Sequence, residues 1–156
     1  MTNSLFDLFF GFTGRIPRKS WWLAAAVLFA ASIGGSILLD PQSMQFNIAE
    51  PQPSWPNTIW QLALVIPGTA ITVKRFNDRD WPFWLGYLYG VAGIVLTVAL
   101  HLGILDKPEP NTAETIAILA PLAFYLFAVI DNGFLRGTRG SNRYGPDPLA
   151  APEGAP

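Results

Sequence analysis

Eight polar side chains hold most of the chemistry this sequence has to offer: Arg15, Arg18, Arg75, Asp78, Asp131, Asn142, Arg143 and Tyr144. All but Asp131 fall in three polar segments, 14–22, 74–82 and 136–148, and Asp131 follows an apolar run just before the third. Guanidinium–carboxylate pairs can be bidentate and so fix geometry as well as charge. On that reading the set is a partly buried clasp tying three segments together. The guanidinium fork also suits phosphate, and on that reading the same set is a site for a lipid phosphate. Catalysis is disfavoured because no nucleophile–base pair is evident. No catalytic, cofactor-binding or metal-binding residue is assigned.

Other features point to less chemistry than they first suggest. The chain has no cysteine, which excludes disulfides, thiolate metal sites and thiol catalysis. One histidine with scattered carboxylates lacks metal-ligand spacing. That histidine, His101, lies close to the end of an apolar stretch, where reaching water suits it better than relaying protons. The glycines of 137–142 imitate a phosphate loop, but no GxxxxGK[ST] is present and no strand precedes them.

The elements that must position the eight residues are four apolar stretches, near 21–39, 57–73, 83–105 and 113–130. About 20 apolar residues span a bilayer as a helix. Signal peptides have apolar cores of about 7–15 residues, so the longer first stretch reads as an uncleaved helix. Nine of the ten Lys and Arg residues lie in the three polar segments, and only Lys107 lies in the two remaining loops. Basic residues flanking spans stay cytoplasmic. The expectation is an all-α, integral membrane four-helix bundle with both termini cytoplasmic. It forms a single membrane domain over 1–148, followed by a disordered tail over 149–156.

The net charge of −1 conceals this polarity. The inner side sets nine basic residues against Asp7, Asp78, Asp80, Asp131, Asp147 and Glu153, and the outer side sets Lys107 against Asp40, Glu50, Asp106, Glu109 and Glu114. Such an inner face suits anionic phospholipid headgroups, each nearby Lys or Arg contributing about 1 kcal/mol. The basic excess is small and topology accounts for it, so nucleic acid is not an expected partner.

Finer signals mark the elements. Residues 4–12 are apolar but too short to span, and either lie along the inner leaflet or pack on the bundle's end. Ser32, Gly34, Gly35 and Ser36 offer a small-residue surface on the first span, and Gly86 and Gly90 form GxxxG on the third. Pro67-Gly68 interrupts the second span, and Pro121 kinks the fourth. Asn111 and Glu114 have capping-box spacing. The spans contain Gln61, Thr69, Thr72, Thr97, His101 and Tyr125 but no charge at mid-depth, which disfavours a pump or ion-coupled transporter.

Taken in order, the three polar segments resemble the bacterial inner-membrane proteins grouped as domain of unknown function 805. Members show a GR-x-x-R-x-x-[YFW]W lead-in to the first helix, an R[RK]LHD-type loop before the third and a G-x-N-R-Y-G-x-D-P tail. Gly14, Arg15, Arg18 and Trp22 match the first, Arg75 and Asp78 the second, and Asn142, Arg143, Tyr144, Gly145, Asp147 and Pro148 the third. The resemblance covers residues 6–148 and implies a multi-pass protein of the inner (plasma) membrane. It implies no activity. Where members usually have His this chain has Asn77, so proton transfer by that His is not open to it.

The leading functional expectation is therefore non-enzymatic: an inner-membrane protein binding partner proteins or anionic lipid through its cytoplasmic face, with a homo-oligomer as one form of partnership. The alternative is a small-solute transporter or channel subunit acting as an oligomer. It is motivated by the Pro67-Gly68 break, because unwound backbone can coordinate ions.

Overall fold

A computed structural model of the chain describes residues 4–44, 54–104 and 109–150. Its elements are α1 (Leu5–Phe10), α2 (Arg18–Leu39), a 3-10 turn (Pro41–Met44), α3 (Trp55–Asp78), α4 (Trp84–His101) and α5 (Thr112–Phe134). The described residues contain no strand.

Local chemistry starts these helices where they start. The Ser54 hydroxyl accepts from the Asn57 N–H at 3.4 Å, and Pro56 occupies the first turn of α3, where its missing donor costs nothing. At α5 the capping box forms in both directions. Asn111 Oδ1 accepts from the Glu114 N–H, and Glu114 Oε2 accepts from the Asn111 N–H, each at 2.9 Å.

Three helices, α2, α4 and α5, are long and apolar enough to cross a membrane by length and composition. Large apolar side chains on α2 and α5 stay on the outside, Leu38 at 83% exposure and Leu126 at 63%. Water penalises a surface of this kind, whereas lipid does not.

The longest helix, α3, has 24 residues but is not among those three. It carries Asn57, Gln61, Lys74, Arg75 and Asp78, and it sits centrally, touching α1, α2, α4 and α5. Its polar residues turn inward to partners. Ser32 Oγ donates to Gln61 Oε1 at 2.8 Å, Gln61 Nε2 to Ser36 Oγ at 2.9 Å, and Ser36 Oγ to Asn57 Oδ1 at 3.0 Å. The small-residue surface of α2 thus meets α3 through a ladder of side-chain hydrogen bonds. On the opposite side α4 approaches closely at its GxxxG pair. A Cβ on Gly86 would lie 2.7 Å from Val73 Cα, and one on Gly90 would lie 2.6 Å from Thr69 Oγ1.

Two sequence expectations change. The helix does not break at Pro67-Gly68: α3 runs unbroken through both residues, with Pro67 buried among its neighbours. A proline removes one backbone hydrogen bond, and packed neighbours let the helix continue. The polar segment 74–82 is not all loop either, since α3 extends to Asp78 and only a short turn precedes α4. The remaining bounds shift modestly: α2 begins at Arg18, α4 ends at His101 and α5 reaches Phe134. Of the tail expected to be disordered, Leu149 and Ala150 are described, and 151–156 lie outside the described residues.

The apolar core gathers at the basic end, where Ile16, Trp21, Ala24 and Ile71 form one cluster and Phe76, Leu85 and Ala128 another. Leu8 and Phe9 pack on the first cluster, so α1 lies against the helix ends with Leu5 and Phe6 facing outward.

Candidate functional site

The last turn of α3 places Lys74, Arg75 and Asp78 in the interior, between α1 on one side and the end of α5 on the other. Three charges this deep need partners, because an unpaired buried ion is strongly destabilising. Asp78 supplies two of the pairings. Its Oδ1 accepts from Arg15 Nε at 3.0 Å, and its Oδ2 accepts from Arg75 Nη1. Arg75 donates further to the Asn132 carbonyl at 2.6 Å and to the Leu135 carbonyl, which ties α3 to the end of α5.

Arg15 organises the tail. Its Nη1 donates to the carbonyls of Gly140 and Gly145 at 2.8 and 3.0 Å, and its Nη2 to the Thr138 carbonyl at 2.7 Å and hydroxyl at 3.1 Å. The chain can pass this close to Asp78 because residue 137 is glycine; a Cβ there would fall 1.9 Å from Asp78 Oδ2. Thr138 returns the contact, its N–H and hydroxyl donating to the Asp78 carbonyl at 2.8 and 3.0 Å. Asn142 Nδ2 donates to the Asn77 carbonyl and to Thr138 Oγ1, each at 2.9 Å. The Tyr144 hydroxyl donates to the Trp81 carbonyl at 2.6 Å. Arg143 donates to the Asp80 carbonyl at 2.6 Å and pairs with its carboxylate at 3.0 Å, at the surface.

Asp131 belongs to a second, adjoining pair. Both its oxygens accept from Arg79 Nε at 3.3 Å, and Trp81 Nε1 donates to Oδ2 at 3.2 Å. Lys74 caps the end of α1, donating to the Asp7 and Leu8 carbonyls. Asp147 lies at the surface, where the N–H groups of Leu149 and Gly140 hold its carboxyl below the usual carboxylate range.

The structure thus joins Arg15, Arg75 and Asp78 directly, links Asn142 to them through Thr138 and the Asn77 carbonyl, seats Arg143 and Tyr144 over the turn before α4, and gives Asp131 to Arg79 and Trp81. Arg18 stays exposed with one hydrogen bond among the described residues, to the Phe134 carbonyl at 3.3 Å. From the sequence, Arg79, Trp81 and Thr138 take no separate role, and Gly137 enters only as part of a weak phosphate-loop imitation. Their position beside the matched motifs was the available signal, but which charge meets which depends on the fold of the turn.

A pocket of about 290 Å³ opens beside this network, its charged lining formed by Arg18, Arg75, Arg136, Asp78 and Asp147. The Arg136 side chain makes no hydrogen bond or close ion pair among the described residues, and its charge acts on Asp147 in the same pocket. A second cavity, about 370 Å³, lies at the same end beneath Tyr144 and Arg143. A third, also about 370 Å³, runs between α2, α3, α4 and α5, where Ser32, Gln61, Thr72 and Thr97 interrupt largely apolar walls. At the opposite end the His101 ring is not free in water. Its Nδ1 lies 2.8 Å from the Thr58 hydroxyl, and Trp55 packs on the ring at 4.0 Å. No three of His, Asp and Glu gather as a metal site among the described residues.

Comparison with known proteins adds kinship. The family described as Protein of unknown function (DUF805) matches residues 9–146. The "Uncharacterized protein YiiR" of Escherichia coli (strain K12) is 31% identical over 144 residues, which cover 88% of this chain and 86% of the relative. The protein of the same description from Escherichia coli O157:H7 matches to the same extent. No solved structure matches.

Proposed function

The chain belongs to the DUF805 family of proteins of unknown function, and on that premise we propose that it is a non-enzymatic inner-membrane protein that binds the phosphate of anionic lipid at its basic end. In this reading α2, α3, α4 and α5 all cross the bilayer, with α3 shielded by the other three. The three basic segments meet at one end of the helices, and the positive-inside rule makes that end cytoplasmic. Both termini then lie in the cytoplasm.

The observation that carries the lipid reading is the charge balance of the 290 Å³ pocket, three guanidinium groups against two carboxylates. Arg75 and Asp78 are consumed by the clasp. Arg18 and Arg136 remain with donors to spare at the level where α2 begins and α5 ends. A phosphate accepts such forks bidentately. The clasp has the supporting role of holding the post-α5 segment so that Arg136 faces Arg18. Transport draws no support from α3, which offers no unwound backbone.

The test is native mass spectrometry of the full chain with phosphatidylglycerol, comparing wild type with Arg18→Gln/Arg136→Gln. Retained lipid should drop about tenfold in the double variant at an unchanged thermal midpoint. Equal retention would sink the anion site and leave the cluster as a structural clasp.

A further inference from the structure

The second cytoplasmic-end cavity has a different chemistry from the anion pocket and shares no lining residue with it. Its volume is about 370 Å³, and its walls include Phe12, Asn77, Phe83, Tyr87, Arg143 and Tyr144. Three features of these residues bear on what could occupy it.

The first is a buried acceptor without a donor. Asn77 is 3% exposed, and its Oδ1 has no hydrogen-bond partner among the described residues. The amide orientation is fixed by its other end, since Nδ2 donates to the Gly14 carbonyl at 3.1 Å. A buried carbonyl oxygen left unpaired destabilises the fold unless something brings it an N–H or O–H. The second is aromatic. Phe12 stacks on Tyr87 at 5.8 Å, and Phe83 meets Tyr87 edge-on at 6.5 Å. Ring faces attract ammonium groups more strongly as water is excluded.

The third is an anion contact that adds no net charge. Arg143 uses Nε and Nη2 on Asp80, and its Nη1 has no acceptor among the described residues. Arg143 and Asp80 cancel, so the cavity suits a zwitterion rather than a net anion. Its height fits as well. Phe83 and Trp84 open α4, one of the apolar helices, and aromatic residues favour headgroup depth.

We infer that this cavity binds a phosphoethanolamine group, its ammonium donating to Asn77 Oδ1 against the aromatic walls and its phosphate meeting Arg143. A membrane lipid headgroup or its soluble counterpart would present the same chemistry. The inference does not rest on the anion pocket.

The number of N–H donors provides the test. Full-length wild-type protein is titrated, with retention read by native mass spectrometry, against phosphatidylethanolamine, its N-methyl and N,N-dimethyl forms, and phosphatidylcholine of identical chains. The first three keep at least one N–H and should bind alike, while phosphatidylcholine keeps none and should bind about tenfold more weakly. Phosphatidylcholine binding as well as phosphatidylethanolamine overturns the proposal. In Asn77→Leu the step should vanish in the protein that still folds, and a step that persists in the folded variant also overturns it. Should that variant fail to fold, the methylation series on wild type decides alone. Competition by soluble glycerophosphoethanolamine assigns the site to the free group, and lipid binding without such competition assigns it to the bilayer.

Discussion

Arg15 and Asp78 stand 63 residues apart in the chain and meet at 3.0 Å, with the two side chains 1% and 5% exposed. Asp78 also holds Arg75, so two buried guanidinium groups share one carboxylate. Removing one partner of a buried pair costs about 3–5 kcal/mol, mostly because the other charge is left stranded. Asp78→Asn should therefore destabilise the folded protein by about that amount, read as thermal midpoint in detergent. Combining it with Arg15→Gln should cost at least about 1 kcal/mol less than the sum, since the residues share one network. Additive losses would show that the pairing does not hold the tail.

Arg143 presents the contrasting case. Its side chain is 54% exposed and that of Asp80 is 44%. Exposed pairs contribute about 0–1 kcal/mol because solvent screens them. Arg143→Ala should shift stability by no more than about that, while Tyr144→Phe removes the bond to the Trp81 carbonyl and should cost about as much or slightly more. A collapse of the fold in Arg143→Ala would assign it to the clasp proper.

How far the sequence could foretell this end of the molecule depends on the residue. The clustering of basic residues announced that segments near Arg15, Arg75 and Arg143 would share one end, and side-chain contacts join them there. It could not announce that Asp131 would turn to Arg79, because pairing depends on the turn that carries Arg79 and Trp81. The reach of α3 was hidden for a related reason. Lys74 and Arg75 end the hydropathic stretch, yet α1 and α5 supply them carbonyls, so the helix continues to Asp78. Hydropathy registers a charge but not the partner that will bury it. Pro67 misled in the other direction, since a proline predicts a lost hydrogen bond and not a lost helix.

Orientation can be read chemically because the chain has no cysteine to mask. Ser141 lies in the tail folded on the basic end, and Glu109 lies just before the cap of α5. In spheroplasts a membrane-impermeant maleimide should label Glu109→Cys at once and Ser141→Cys only after lysis. The reverse order would invert the topology and, with it, the cytoplasmic assignment of both lipid sites.

Acid should act on the tail through Asp147. Its folded pKa is depressed because the Leu149 and Gly140 N–H groups donate to the carboxylate at 2.9 and 3.1 Å. A depressed carboxyl contributes its stabilisation fully above the unfolded value and loses it as pH falls through the folded one. The window is therefore below about pH 4. Amide proton shifts of Gly140 and Leu149 should titrate together with a midpoint under the ordinary Asp value, and both should be flat in Asp147→Asn. Separate midpoints would mean that the carboxylate does not bridge the two amides.

Helix packing gives the last prediction, and it turns on two glycines with opposite surroundings. Gly86 lets α4 approach α3 so closely that a Cβ would sit 2.5 Å from Val73 Cγ2 and 2.7 Å from Val73 Cα. The Cγ2 could rotate away, but the Cα is backbone, so α4 would have to move. Overpacking of that kind costs about 1–3 kcal/mol. At Gly34 on α2 a Cβ would meet nothing within 4 Å. Alanine there removes backbone freedom from the unfolded chain and should leave stability unchanged or raise it by up to about 1 kcal/mol. Gly86→Ala should lower the thermal midpoint while Gly34→Ala holds or raises it. Because Asn77 lies one turn of α3 from Val73, Gly86→Ala should also weaken phosphatidylethanolamine retention, whereas Gly34→Ala should not. Equal behaviour of the two variants would mean that α4 does not rest on α3 at Val73.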